Sequence, residues 1–344
     1  MRKTTMQNVA DALDISRVTV WKVLSGREGV SEDLQTKIIT KACEMGYNVP
    51  DHLRSRVNLP DYKESARQYT ISVTVSRPET SVFWMTIIHE IAKEASKHNI
   101  NVMYTYLPSE ISPSYELPSQ LTNGTVQGMI ILNVYNETLL RKISTLKIPK
   151  VFMDTSTKLP FRQLSGDLVL IEGLSGVAEI VDDLVAKGKK TFGFIGDINY
   201  AQTNYERYRG FVHSLEAHNL PIHKELCLTK QIGAEVYTEE IQSFINSLPK
   251  LPEAFICVSD FVASIVCREL TQKGLRIPED ICVSGFDGNT EFTGVDALTT
   301  VQVHNSEIGV KLVRQIIYRM EHPTSCHEIC YLCSDVIFRH STEC

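Results

Sequence analysis

The sequence predicts a small, all-α helix-turn-helix head followed by a two-lobed α/β domain with parallel sheets. Residues 1–49 show only helical periodicity, whereas from Thr70 onward β-rich apolar runs alternate with amphipathic helical stretches. Strands that alternate with helices form βαβ units, so we expect parallel sheets covered on both faces. We therefore place the head at 1–49, a linker at 50–69 and the two-lobed domain at 70–344.

Three short helices are predicted in the head. Thr5, Ser16 and Ser31 are the expected N-caps of the first, second and third helix, and Gly46 is expected to end the third. A tight turn joins the first two, which favours a helix-turn-helix whose second helix enters the major groove of DNA. Helical spacing alone is equally consistent with a three-helix bundle that does not bind DNA.

Basic residues are concentrated near the start of the chain. Residues 1–59 hold nine Lys and Arg against seven Asp and Glu, a balance of +2, while the remainder carries −8. Binding to phosphate requires clustered basic side chains, so a net charge of −6 would argue against DNA binding only if it were evenly spread. This distribution is typical of a DNA-binding module joined to a domain that stays off DNA.

The cysteines and the hydropathy of the sequence indicate the cellular compartment of the protein. Most of the nine cysteines lie within apolar runs such as "FICVSD" and "SIVCREL", which is typical of reduced, buried thiols. The opening residues contain no apolar signal segment, and no run of about 18 apolar residues occurs. We expect a cytoplasmic protein that does not enter a membrane.

Eight strands and six helices are predicted after the linker. Eight strands are too many for one small sheet, so we expect two lobes. The predicted strands are "YTISVTVS", "NVMYTYL", "GMIILN", "KVFMDT", "LVLI", "KTFGFIGD", "AFICVS" and "ICVSGFD". The predicted helices are Trp84–His98, Glu137–Thr145, Leu174–Lys187, Tyr208–His218, Ala234–Asn246 and Phe261–Lys273.

Long stretches of the chain resemble a known family. The segments "TMQNVADALDISRVTVWKVLSG" and "GVSEDLQTKIITKACEMGYNVP" resemble the N-terminal domain of the lactose/galactose repressor (LacI/GalR) family, in register from Thr5 to Pro50. Further phrases, among them "NGTVQGMIIL", "LVAKGKKTFGFIGD" and "AFICVSDFVASIVCRELTQKGLRIPEDICVSGFDGNTEF", are similar to the core of that family. The resemblance implies a periplasmic-binding-protein-like domain after the head.

The resemblance assigns DNA contacts to the second helix. Arg17, Val18 and Lys22 fall where the recognition helix of the family faces base edges; Arg and Lys suit guanine, and Val18 suits a thymine methyl group. The alternative for Arg17 and Lys22 is a solvated helix face that touches phosphate only. Hydroxyl side chains are expected to contact phosphates and to cap helices; these are Thr5, Ser16, Thr19 and Ser25.

The sequence departs from the family pattern at Trp21, where the family has a small residue, and at Lys22, where it has Arg. Lys is a point donor, which softens selectivity for guanine. Trp21 lies one turn after Arg17, and we expect it to contact the edge of the duplex rather than the core. The core positions of this helix are Val20, Val23 and Leu24.

The linker "PDHLRSRVNLPDYKESARQY" matches the segment where the family has a short hinge helix that wedges a leucine into the minor groove. Val57 falls at the wedge position and is smaller and stiffer than Leu, and Pro60 ends any helix about there. A plain flexible spacer is the alternative. The hypothesis is a weak hinge that bends the operator less than is usual for the family.

In the two-lobed domain the resemblance implies a small-molecule site between the lobes. A sugar or nucleoside needs charged hydrogen-bonding groups and a flat apolar surface. Asp154 and Asp287 follow predicted strands at the edge where parallel α/β sheets bind ligands. Arg207 falls where the family uses an Arg to reach the ligand, and Phe83 and Trp84 fall at its aromatic cleft positions.

Several of these residues have structural alternatives. The family usually has Asn-Asp where this chain has Ser259-Asp260, and for Asp260 capping of the next helix is favoured over ligand contact. Asp154 also suits an N-cap. Asp287 precedes a glycine and suits a turn. Trp84 suits the core or a dimer interface.

Other chemistry is not favoured. "FGFIGD" lacks the glycine spacing and the lysine of nucleotide-binding loops. Three cysteines near two histidines invite a zinc interpretation, but "EICYLCSDVIF" reads as a strand and no second cluster of matching spacing exists. No catalytic constellation is recognisable, so neither an enzyme nor a cofactor is expected. The residues of the zinc interpretation are His322, Cys326, His327, Cys330 and Cys333.

These observations predict a homodimeric, ligand-controlled repressor. Its partners are double-stranded operator DNA, read as a pseudo-palindrome, and a sugar-like effector or, as a second choice, a nucleoside or purine. Ligand closing the cleft is expected to alter the spacing of the two heads. The first alternative is a sugar sensor without effective DNA binding, and the second is a nucleotide-using enzyme. The eleven residues after Cys333 leave no room for a tetramerisation helix.

Overall fold

The computed structural model describes residues 4–27, 29–47, 49–50, 53, 69–76, 82–233, 236–289 and 297–343. The chain divides into two compact units, Met1–Gln68 and Tyr69–Cys344. None of the described helices is long and apolar enough to span a membrane.

The described residues of the first unit form the three predicted helices. Thr5 and Asn8 form a reciprocal capping box, in which the Thr5 N–H donates to Asn8 Oδ1 at 2.9 Å. Ser16 Oγ accepts the Thr19 N–H at 3.1 Å. Ser31 occupies the N-cap position of the third helix, but its side chain makes no capping hydrogen bond. The helices are α1 (Met6–Leu13), α2 (Arg17–Leu24) and α3 (Glu32–Glu44).

One apolar cluster holds the three helices together. Val9 and Ala10 from α1 pack in it with Val20 from α2 and Ile38 from α3. Leu53, from the segment predicted as linker, is buried in the same cluster. Val57, the predicted minor-groove wedge, lies outside the described residues. Val18 is 62% exposed and does not contribute to this core.

The second unit has two lobes, and the first is built on a six-stranded, fully parallel sheet of order β10-β5-β4-β3-β1-β2. Its strands are β1 (Thr70–Val75), β2 (Asn101–Tyr106), β3 (Gly128–Leu132), β4 (Lys150–Met153), β5 (Asp167–Ile171) and β10 (Ile329–Leu332). Helices pack on this sheet; they are α4 (Val82–Lys97), α5 (Glu137–Ser144) and α10 (Asn305–Glu321).

The second lobe has a three-stranded parallel sheet of order β6-β7-β8 and an antiparallel pair of β9 and β11. The strands are β6 (Phe192–Ile195), β7 (Ala254–Cys257), β8 (Cys282–Ser284), β9 (Thr300–Gln302) and β11 (Asp335–Ile337). The helices are α6 (Leu174–Ala186), α7 (Gln202–Ala217), α8 (Tyr237–Ser247) and α9 (Asp260–Gln272). The prediction of two α/β lobes with parallel sheets is confirmed.

Some elements differ from the prediction. α7 begins at Gln202, six residues before the predicted start, while β9 and α10 were not among the predicted elements. The run "EICYLCSDVIF" forms two strands, because β10 pairs with β5 in the first lobe whereas β11 pairs with β9 in the second. The chain therefore passes between the lobes once more at this point.

A buried ion pair fixes α10 to the first lobe. Arg319 Nη2 lies 2.7 Å from Asp167 Oδ1, and Arg319 Nε lies 3.0 Å from Asp167 Oδ2. Gln315 Nε2 and the Glu328 N–H donate to the same carboxylate at 2.8 and 2.9 Å. Both charged side chains are almost completely buried. The bidentate geometry and these added hydrogen bonds offset the desolvation of the two charges.

Candidate functional site

The predicted reading face of α2 is exposed in the structure. Val18 is 62% and Trp21 41% exposed, whereas Val20 is fully buried. Arg17 and Lys22 are also exposed on this helix. The prediction that Trp21 is not a core residue is confirmed, because buried side chains of α2 fill the core without it. This face presents two cations and two apolar groups for contact with a groove.

The hydroxyl residues around α2 hold the ends of the helices. Ser16 caps its start, and Thr19 Oγ1 lies 2.8 Å from Ser16 Oγ. Ser25 Oγ donates to the carbonyl oxygen of Trp21 at 2.5 Å at the other end. Thr5 caps α1. These positions are compatible with the predicted phosphate contacts, which stay a prediction.

Asp154 connects the two lobes. It follows β4 of the first lobe, and its Oδ2 accepts a hydrogen bond from Thr203 Oγ1 at 2.6 Å. Its Oδ1 accepts the backbone N–H groups of Thr155 and Thr203 at 2.8 and 3.2 Å. Since Thr203 is in the first turn of α7, Asp154 places a carboxylate at the positive end of a helix in the opposite lobe. Burial raises the pKa of Asp154 above its usual value, against these hydrogen bonds.

Further contacts line the same boundary between the lobes. Tyr135 Oη donates to Asp154 Oδ2 at 3.2 Å, and its ring centroid lies 4.2 Å from that of Tyr200. Tyr200 Oη donates to Asn133 Oδ1 at 3.2 Å. Polar acceptors and an aromatic pair thus stand together, as a polyhydroxylated ligand requires.

Arg207 lies on α7, one turn after Thr203, and is 5% exposed. Its Nη1 donates to the Val258 carbonyl oxygen at 2.6 Å, and its Nη2 lies 3.3 Å from Asp287 Oδ1. Its Cζ is 3.6 Å from the centroid of the Phe286 ring. The Nε atom is buried without a hydrogen-bond partner. A buried N–H without an acceptor costs free energy, which makes this atom a candidate donor.

Asp260 lies near Arg207 and Asp287 and accepts hydrogen bonds from the protein itself. Asp260 is completely buried. Its Oδ1 accepts a hydrogen bond from Thr300 Oγ1, and its Oδ2 accepts one from the Asn289 N–H, both at 2.7 Å. The predicted capping role of Asp260 is wrong, because Ser259 is the N-cap of α9 and its Oγ accepts the Val262 N–H. Asp260 instead fastens the loop that carries Asp287.

Phe83 and Trp84 lie at the start of α4. Their rings pack edge to face, with centroids 5.2 Å apart, and both are half-buried against the main hydrophobic core. This packing accounts for both rings structurally. Their predicted contact with the ligand stays a prediction.

Known transcription regulators resemble this chain in sequence and in fold. Residues 181–342 match the periplasmic binding protein-like domain. An HTH-type transcriptional repressor PurR from Actinobacillus pleuropneumoniae is 23% identical over 92% of this chain and 91% of its own length. The transcriptional regulator CelR in complex with cellobiose has a TM-score of 0.71 at 19% identity, covering 98% of this chain and 100% of CelR. The lac repressor dimer bound to operator has a TM-score of 0.66 at 17% identity, covering 99% of each chain.

The chain is similar in sequence and in fold to regulators of the LacI/GalR family. The similarity runs through both the head and the two-lobed domain. Relatives of this chain are regulators rather than enzymes. The fold thus agrees with the resemblance found in the sequence.

Several residues at this boundary between the lobes were not predicted. They are Asn133, Tyr135, Tyr200, Thr203 and Phe286. Tyr135 follows the carboxyl end of β3, so the rule that selected Asp154 would also have selected it. Thr203 was missed because α7 was predicted to start at Tyr208, which hid its spacing of one turn from Arg207.

The cysteines near the end of the chain were considered above as zinc ligands. Among the residues that the structure describes, no group of three or more His, Cys, Asp or Glu is arranged to hold a metal ion. Cys326, Cys330 and Cys333 are free thiols, and Cys330 lies within β10.

Asp260 and Asp287, the two carboxyl groups near Arg207, both have raised pKa values. Burial raises the pKa of Asp260 to about 7, and the negative charge of Asp287 adds to the rise. Burial raises the pKa of Asp287 to about 6, against the charge of Arg207. The folded protein therefore keeps protons that the unfolded chain has lost, so these groups make the free energy of unfolding fall as pH rises from about 4 to about 7.

Asp287→Asn is expected to lower the pKa of Asp260 from about 7, because the repelling charge is removed. The measurement is a carbon NMR titration of protein labelled at the Asp carboxyl carbons. Asp280→Asn, which alters an exposed pair with Arg276 in the same lobe, should leave the titration of Asp260 in place. An unchanged Asp260 titration in Asp287→Asn would show that the two carboxyls are not coupled.

Proposed function

We propose that this protein is a homodimeric repressor whose affinity for operator DNA is set by a sugar or sugar derivative bound between the lobes at Arg207. Ligand binding alters the population of lobe arrangements, and operator affinity follows because the ligand binds those arrangements unequally.

One observation carries the proposal: a buried arginine with an unused N–H stands among hydrogen-bonding groups at the boundary between the lobes. The Arg207 Nε offers a donor, and the carboxylate of Asp287 offers an acceptor. The rings of Tyr135 and Tyr200, which are tilted by 45° to each other, offer apolar contact area. Hydroxyl groups and the face of a sugar ring complement this set. The related fold of CelR is known in complex with cellobiose, which supports a saccharide.

The ligand is tested by a thermal-shift screen of sugars and nucleosides with the full chain. A ligand present at about 100 times its Kd stabilises the folded state by about 2.7 kcal/mol, which is readily detected. We expect a saccharide to raise Tm. If nucleosides alone raise Tm, the second choice of effector replaces the first.

DNA binding is supported by the exposed face of α2, and Arg17 and Lys22 are proposed to contact bases. The test is in vitro selection of a duplex from a random pool with the wild-type chain. We expect one pseudo-palindromic sequence to be enriched, and Arg17→Ala to weaken binding to it by about 1–3 kcal/mol and relax the preference at one base position.

The matched control is Lys41→Ala, which removes a cation on α3 that pairs with Glu44. It should leave selectivity intact. If the wild-type chain enriches no sequence although the thermal-shift screen finds a ligand, the protein is a sugar sensor without effective DNA binding, and the repressor assignment is wrong.

The dimer is proposed to form through α4 and the edge strand β2 of the first lobe. Four apolar side chains on these elements are about half exposed: Val82, Met85, Tyr104 and Tyr106. The two elements are in contact with each other, and large apolar side chains exposed together on neighbouring elements are typical of an interaction surface. A second copy is the proposed occupant, because a two-fold operator requires two heads and the related lac repressor is known as a dimer on operator.

Met85→Glu is expected to convert the dimer to a monomer, because it introduces a charge where the patch would be desolvated. The measurement is sedimentation velocity of the full chain. Val236→Glu changes an exposed apolar residue of the second lobe and should leave the dimer intact. An unaltered sedimentation coefficient for Met85→Glu would place the dimer interface elsewhere.

A further inference from the structure

The chain turns back on itself where α2 ends. Ser25 Oγ and the Ser25 N–H both donate to the carbonyl oxygen of Trp21, at 2.5 and 2.9 Å. Gly26 takes a φ of +69°, which glycine adopts without strain. The Arg27 N–H then donates to the carbonyl oxygen of Lys22 at 2.9 Å, which closes the helix end. This turn brings Arg27 back beside the last turn of α2.

The side chain of Arg27 lies over the ring of Trp21. The distance from Arg27 Cζ to the centroid of the ring is 5.0 Å, which is within the range of a cation–π interaction. Both side chains are exposed. An arginine stacked by its face keeps the N–H groups at its edge available, and these match the two oxygens of a phosphate.

Trp21 is placed on the same side of α2 as the residues proposed to read bases. It follows Arg17 by four residues and Val18 by three, the spacings that share one helix face. Arg27 is thus held beside the reading face although it lies beyond the end of the helix. The N-terminal residues of a recognition helix contact base edges, whereas Arg27 lies beyond the last residue of the helix, where the phosphates that flank the groove are a nearer target.

We propose that Trp21 and Arg27 form one DNA-contacting unit, in which the indole ring holds the Arg27 guanidinium for a bidentate contact with an operator phosphate at the edge of the groove. This inference rests on the proposed DNA-binding function. It gives the unusual tryptophan a second role, that of positioning an arginine, and it adds a contact that helical spacing does not predict.

The test is a double-mutant cycle on the full chain, with the duplex selected by the wild-type protein as the probe. Trp21→Ala and Arg27→Ala are each expected to weaken binding about tenfold, and the double variant by little more than either, because each removes the same unit. Trp21→Phe, which keeps a flat ring, should retain most of the affinity. Arg27→Ala should also lower the slope of log affinity against log salt by about one contact.

Several results would overturn the inference. Losses that multiply in the double variant would mean that the two residues act separately, and an unchanged affinity of Arg27→Ala would remove its contact. A loss confined to one base position would identify a base contact in place of a phosphate contact. Lys41→Ala controls for loss of a positive charge alone. If the wild-type chain selects no duplex, the DNA-binding function itself fails, and the inference fails with it.

Discussion

Arg207→Ala is expected to weaken effector binding by about 10- to 140-fold, because hydrogen bonds to a charged group contribute about 1.5–3 kcal/mol. The guanidinium is buried and is held in position by Val258 and Asp287, so a ligand that engages its Nε gains a preorganised donor. The measurement is calorimetric titration with the sugar that raises Tm of the wild-type chain.

A second variant distinguishes the effect of displacing the Arg207 side chain from the effect of removing it. A Cβ atom added at Gly173 would lie 2.8 Å from Arg207 Cγ, so Gly173→Ala shifts the side chain but keeps its charge. We expect a smaller loss of affinity than in Arg207→Ala. Arg276→Ala, at an exposed ion pair in the same lobe, is the matched control and should bind normally. Full affinity in Arg207→Ala would mean that the ligand binds elsewhere.

Arg319→Ala is expected to destabilise the second unit by about 3–5 kcal/mol, because it leaves the carboxylate of Asp167 buried without its counter-charge. The loss also removes hydrogen bonds to the carbonyl oxygens of Ser325 and Cys326 just before β10. The measurement is the free energy of unfolding of the full chain in urea, with unfolding monitored by circular dichroism.

Arg314→Ala is the matched control on the same helix. Arg314 is largely exposed and lies 3.5 Å from Glu94, so its removal should change stability by less than about 1 kcal/mol. Equal losses in the two variants would contradict the assignment of the Asp167–Arg319 pair as the main attachment of α10.

The same pair explains one limit of the sequence prediction. α10 was not predicted, because Gln315 and Arg319 interrupt its apolar face although both are buried. Their burial depends on Asp167, which lies about 150 residues earlier and meets them only in the folded chain. Long-range polar partners of this kind leave no periodic signal.

The head shows the opposite case. Thr5 and Ser16 cap helices within a few residues of themselves, and the apolar positions of α1 and α2 recur at helical spacing. These are local interactions, and they could be predicted. The stack of Arg27 on Trp21 could not, since it depends on the left-handed conformation of Gly26 after the helix.

The candidate site between the lobes could be predicted from the sequence only in part. Strand ends identified Asp154 and Asp287, because the carboxyl ends of parallel strands share one edge of a sheet. The meeting of Asp154 with Thr203 depends on how the lobes pack, and was not predictable from spacing. Asp260 was selected by the same rule, yet Thr300 and Asn289 occupy both of its oxygens.

Operator affinity, measured with and without saturating effector, tests the central claim most directly. The probes are the duplex selected by the wild-type chain and the sugar that raises its Tm, applied to the wild type and to Arg207→Ala. We predict a change in operator affinity of about 5- to 150-fold in the wild-type chain, and in Arg207→Ala the same change only at an effector concentration about 10- to 140-fold higher. An operator affinity that the bound effector leaves unchanged in the wild-type chain would contradict ligand control of DNA binding.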